Sequence, residues 1–90
     1  MIKNEGGNAL FYLCGGQCNY YLGQYEEALA HYEVADTKDK AENASQLQAQ
    51  IEYNKGLAHA SLMNYAAAIE NFKNAINPEI EFNKRYMAMF

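Results

Sequence analysis

The chain writes one pattern twice. Gly16, Leu22, Tyr25, Ala28, Leu29, Tyr32 and Ala35 return, class for class, as Gly56, Leu62, Tyr65, Ala68, Ile69, Phe72 and Ala75. Every member of the second set lies 40 positions after its counterpart. Self-similarity at a period of about 20 to 50 residues marks a repeat architecture, in which each unit buries its apolar face against the next. That constraint comes before any single motif, and it favours an extended surface over a catalytic pocket.

The spacing inside each copy is helical, with apolar positions three and four apart. A first helix is expected from Ala9, along Leu10, Leu13, Cys14, Cys18, Tyr21 and Leu22, with Gly23 as its stop. Gly15 and Gly16 lie inside it and lower its propensity, so they read as a place where another helix comes close. A second helix starts near Gln24 or Tyr25, with Glu26 and Glu27 in the first turn, where the helix dipole favours negative charge. The polar run 36–40 reads as a turn, with Thr37 or Asp39 capping a long third helix that reaches Leu62. A fourth helix follows Met63-Asn64, and Asn77-Pro78 closes it and opens a fifth. No segment alternates as a strand does. The expected fold class is all-α, with short connections that make neighbours antiparallel.

Composition narrows the function. Hydrophobic residues make up 50% and charged residues 20%, which is globular rather than disordered. A net charge of -4 argues against nucleic acid, which needs a basic stripe for phosphates. No apolar run approaches the roughly 18 residues of a membrane span. The first residues lack a signal-peptide core, so an intracellular, cytoplasmic setting is expected. Cys14 and Cys18 read as two small, semi-buried thiols, with His31 and His59 as metal partners only if folding brings them close. A disulfide between residues four apart on a helix suits its geometry poorly. His31 is expected on the exposed side of the second helix, and His59 as a satisfied histidine near the packing face. No catalytic residue, metal site or cofactor is expected, and the chain does not read as an enzyme.

A helix with an internal small residue, a turn, then Tyr-x-x-Ala-x-x-x-aromatic-x-x-Ala resembles the tetratricopeptide repeat. Residues 22–29 and 53–58 carry its wording most closely. The resemblance implies antiparallel helix pairs stacked as a right-handed solenoid of about five helices. It divides the chain into a flexible start (1–8), a first repeat (9–36), an insert that extends the third helix (37–48), a second repeat (49–77) and a capping helix or third-repeat start (78–90). The family repeat runs about 34 residues, so about six are extra. Tyr12 fits the large aromatic of the first helix, whereas its counterpart is Glu52. Tyr25, Tyr32, Tyr65 and Phe72 read as core.

In that family the first helices of the pairs line a concave groove for peptides or protein segments. Carried over by position, the groove comprises Leu13, Gln17, Tyr20, Tyr21, Tyr53, Asn54, Leu57 and Ser61, with Lys84 or Arg85 added by the fifth helix. Tyr20 and Tyr21 either face the groove or pack on a neighbouring helix. Some members clamp a C-terminal carboxylate with Lys and Asn. Here only Asn54 fits, because Leu13 and Gln17 stand where the first repeat needs Lys and Asn. The expected partner is a protein or peptide. The alternative is self-association through the apolar C-terminal helix, within an array or an oligomer.

Overall fold

The computed structural model describes residues 8–42 and 45–76. The loose start (1–7), the Asn77-Pro78 junction and the fifth helix, with Lys84 and Arg85, lie outside the described residues. Among the described residues the fold is all-α, with four helices and no strand. They are α1 (Ala9–Tyr21), α2 (Tyr25–Glu42), α3 (Gln48–Ser61) and α4 (Tyr65–Ala75). None is long and apolar enough to cross a membrane.

The helices pack in chain order: α1 on α2, α2 on α3 and α3 on α4, with a thinner contact between α1 and α3. Each pair is antiparallel, as its contacts show. Along α1, Tyr20 meets Tyr25, Gly16 meets Ala28 and Tyr32, and Tyr12 meets His31. Along α3, Gly56 meets Phe72, and Glu52 meets Asn71 and Asn74. It follows that α1 and α3 run parallel, side by side.

Gly16 and Gly56 decide how close the pairs come. A Cβ on Gly16 would lie 2.6 Å from Cδ1 of Tyr32 and 3.1 Å from the Ala28 carbonyl oxygen. A Cβ on Gly56 would lie 2.5 Å from Cε1 of Phe72. Both are far inside carbon–carbon contact, so each glycine is the socket for one ring. Gly15 is not under the same demand, since its nearest neighbour is an ordinary contact with His31.

The turns repeat as well. Gly23 N–H donates to the Tyr20 carbonyl and Gln24 N–H to that of Asn19. Met63 N–H donates to Ala60 and Asn64 N–H to His59, 40 positions on. This is the Schellman pattern, whose C′ residue takes a left-handed backbone. Gly23 has φ +80 and Met63 φ 64, so the second copy makes the same turn without glycine. At the other end of α1, Asn8 is the cap, its side chain accepting from Phe11 N–H at 2.9 Å.

The junction between the copies differs from the sequence expectation. The polar run 36–40 is helical, and the extra residues lengthen the end of α2 instead of the start of α3. No Gly or Pro breaks the run, and Lys40–Asp36 and Lys38–Glu42 pairs support it at one-turn spacing. Asp39 does cap the next helix, but from inside α2. Its buried carboxylate accepts Leu47 N–H at 3.1 and 3.0 Å and Gln48 Nε2 at 3.2 Å. Gln48 Nε2 also donates to Asp36 at 2.7 Å. The chain reverses through Ser45, which has φ 66. An i,i+4 reading of the sequence has no way to see a cap supplied from eight residues upstream.

The core gathers Leu13, Ala28, Tyr32, Ala35, Ile51 and Ala58, with Tyr12, Tyr20, Leu29 and Leu47 against it. Of the four aromatics expected in the core, Tyr32 is fully buried, Tyr25 and Phe72 are half-buried, and Tyr65 is 60% exposed. Leu22 and Leu62, counted in the repeat, are exposed at the turns. The outer face of α4 has no further helix on it among the described residues, which is why Tyr65 and Ile69 stand open.

Candidate functional site

The parallel pair α1 and α3 leaves a groove of about 680 Å³ between them. Leu10, Leu13, Cys14, Gln17 and Tyr21 form one wall, and Gln50, Tyr53, Asn54 and Leu57 the other. Ala49, Ala75 and Ile76 close the end nearest the start of α3. The walls arise from sequence directly: residues three and four apart share a helix face.

Six of the eight residues expected in the groove line it: Leu13, Gln17, Tyr21, Tyr53, Asn54 and Leu57. Tyr20 and Ser61 do not. The Tyr20 ring sits 5.4 Å from that of Tyr25 and packs on the core, and Ser61 Oγ reaches the Tyr20 hydroxyl at 3.5 Å. They tie the ends of α1 and α3 together behind the groove. Tyr21 meets the Tyr20 ring edge-on at 5.5 Å, but it is 83% exposed and lines the groove. Consecutive helical residues lie about 100° apart, so Tyr20 and Tyr21 take opposite roles.

Among the described residues, every side chain lining the groove is uncharged. It offers leucines, two tyrosine rings with hydroxyls, and three amides. Asn54 Nδ2 is used within its helix, donating to the Gln50 carbonyl at 2.7 Å. The nearby cation, Lys55, is buried and paired with Glu33 of α2 at 3.3 Å. Leu10, Cys14 and Gln50, missed from the sequence, sit within one turn of Leu13, Gln17 and Tyr53 on the same helices, so helical spacing could have found them. Ile76 enters because the end of α4 returns beside the start of α3, a tertiary placement with no local signal.

Three further residues depart from expectation. His31 is not on an open face: half-buried, it lies against Gly15, with its Nδ1 3.1 Å from the Glu27 carbonyl. Cys14 and Cys18 are exposed, not semi-buried. His59 is not satisfied, since its buried Nδ1 has no partner among the described residues.

One buried group has a displaced pKa. Burial pushes the Tyr32 hydroxyl up to about 12, and Tyr20 and Tyr21 add to the shift. Its oxygen has no hydrogen-bond partner among the described residues.

Comparisons with protein-family models, curated proteins and solved structures returned no match to this chain. The likeness to the tetratricopeptide repeat therefore rests on the residues of the chain itself.

Proposed function

We propose that this chain is a tetratricopeptide-like module, a right-handed stack of helix pairs that binds a peptide or protein segment between α1 and α3. The observation that carries this reading is the groove itself, formed by the first helices of two successive pairs and lined by Leu13, Gln17, Tyr21, Tyr53, Asn54 and Leu57. Tyrosine suits such a surface, because it offers a large rigid area and a hydroxyl at low entropic cost. The wall from Leu10 to Tyr21 runs eleven helical steps, about 16 Å. An extended segment rises about 3.3 Å per residue, so the groove takes about five residues. With no charge on either wall, the segment is itself uncharged and apolar at alternate positions. Carboxylate clamping is not favoured, because among the described residues no lysine lines the groove.

The test is a selection from a random-peptide display library on the full chain, followed by fluorescence anisotropy of the enriched peptides. Uncharged sequences with alternating apolar residues are expected. Their binding should be lost in a Tyr21→Ala/Tyr53→Ala chain of unchanged helicity. Enriched peptides that bind this variant as well as the parent would remove the groove from the reading.

A second reading, self-association as a scaffold element, is supported by the open apolar face of α4. Tyr65 and Ile69 are both more than half exposed there. Equilibrium sedimentation separates the two. A monomer at all concentrations sinks the second reading, and a dimer dispersed by Ile69→Lys sustains it.

A further inference from the structure

Cys14 and Cys18 lie one turn apart on α1, and both thiols are free and exposed. Residues four apart on a helix hold their Cβ atoms about 5–6 Å apart. A disulfide needs about 3.5–4.5 Å, so the pair cannot close on itself while the helix stands. An ion between the sulfurs is a different case. Two collinear metal–sulfur bonds of about 2.3 Å place the sulfurs about 4.6 Å apart. Side chains rising from these Cβ positions reach that span by leaning toward each other.

The surroundings fit. Both cysteines line a second pocket, of about 650 Å³, with Leu10, Phe11, Gly15 and His31. Leu10 and Phe11 give it an apolar side. The His31 ring closes the α2 side. Its Nδ1 faces the Glu27 carbonyl, which can only accept, so Nδ1 donates there. The ring lies over Gly15, at ordinary contact distance.

The donor set also selects the ion. Among the described residues no three or more His, Cys, Asp or Glu side chains are gathered to hold a metal. Tetrahedral zinc wants four ligands, so it is poorly served. Soft thiolates select Cu(I), an ion satisfied by two ligands in a line. We propose that Cys14 and Cys18 form a two-thiolate site for a soft monovalent cation of the Cu(I) class, walled by Phe11 and His31. On binding, both S–H bonds break, two protons leave to solvent, and two Cu–S bonds form. No electron is transferred, and the bound unit carries one net negative charge.

The test uses the full chain, reduced and free of oxygen, against Cu(I) supplied as its bicinchoninate complex. The expected result is withdrawal of one Cu(I) per chain, read as loss of the chelator's colour. Withdrawal should be lost in Cys14→Ser and in Cys18→Ser, and kept in His31→Ala. Zn(II) on a colour indicator should stay with the indicator. Both thiols are exposed, so the serine chains should keep the parent helicity, checked by circular dichroism. Equal Cu(I) uptake by either serine chain overturns the site. Loss in His31→Ala, or comparable uptake of Zn(II), overturns the two-thiolate geometry.

Discussion

The two copies use one joint and surround it with different chemistry. In the first, the Gly16 socket holds Tyr32, and beside it the Tyr12 and His31 rings lie 6.2 Å apart. Lys38 Nζ sits 5.7 Å above the Tyr12 ring. In the second, Gly56 holds Phe72, but Glu52 and Asn71 stand where Tyr12 and His31 stood. Glu52, 8% exposed, accepts from Asn71 Nδ2 at 2.9 Å and from Asn74 at 3.5 Å. An aromatic pair has become a hydrogen-bonded pair at the same two positions. The ring-in-socket contact requires particular shapes, because a Cβ there has nowhere to go. The flank takes ring contact in one copy and hydrogen bonds to the buried Glu52 carboxylate in the other.

The largest expected effect tests whether the two sockets are equally tight. Tyr32 is fully buried and has no room to give, whereas Phe72 is half-buried and can swing outward. Gly16→Ala should cost about 3 kcal/mol and Gly56→Ala about 1 kcal/mol, after overpacking is set against the helix propensity gained. Urea denaturation measures both. Equal losses would mean that the second socket is as rigid as the first.

Asp39 joins the copies and belongs to neither socket. Asp39→Ala removes the acceptor of Leu47 N–H and should cost about 2 kcal/mol, with faster amide exchange at Leu47 and Gln48. Unchanged exchange at Leu47 would show that the turn holds without its carboxylate.

Tyr32→Phe gives the first socket the ring of the second. It deletes a buried hydroxyl with no partner among the described residues, and should stabilise by about 1 kcal/mol. It should also change the alkaline limb. The Tyr32 pKa is raised from 10.0 to about 12 in the folded chain. Below pH 10 both states keep the proton, and the stability is whole. Between 10 and 12 the unfolded chain sheds it while the folded chain does not, so stability falls as pH rises. The difference between parent and variant isolates this residue from the other tyrosines. Parallel stability curves from pH 9 to 12 would contradict the burial of that hydroxyl.

The smallest effect concerns the turns. Met63 holds the left-handed conformation that glycine holds at position 23. Met63→Gly should stabilise by slightly under about 1 kcal/mol, because a side chain there is strained. Thermal denaturation reads the sign, and a fall in Tm would show that the methionine makes a compensating contact.

Much of this was legible in advance because helical period and turn chemistry are local. Gly16 and Gly56 announced a close approach by sitting inside helices they weaken. Gly23 announced a stop, and the groove positions of α1 and α3 came by position from the resemblance to the tetratricopeptide repeat. Tyr20 and Tyr21 were not separable, because both are large and amphipathic and only a neighbour decides which one packs. The run 36–40 misled because its residues suit a turn by type, yet form a last helical turn once Asp39 has Leu47 and Gln48 to hold. His31 read as solvated for a similar reason: its partners, Gly15 and Tyr12, come from another helix.

By itself the sequence determined the all-α class, the 40-residue period and the glycines at which helices come close, since each depends on helical spacing or on a repeat written plainly. The tertiary structure alone decided where the junction turns, which tyrosine faces the groove, and that two thiols and an imidazole share a pocket. Those outcomes depend on backbone and side-chain groups from separate helices meeting at a distance of a few ångströms, and no spacing along one helix encodes that meeting.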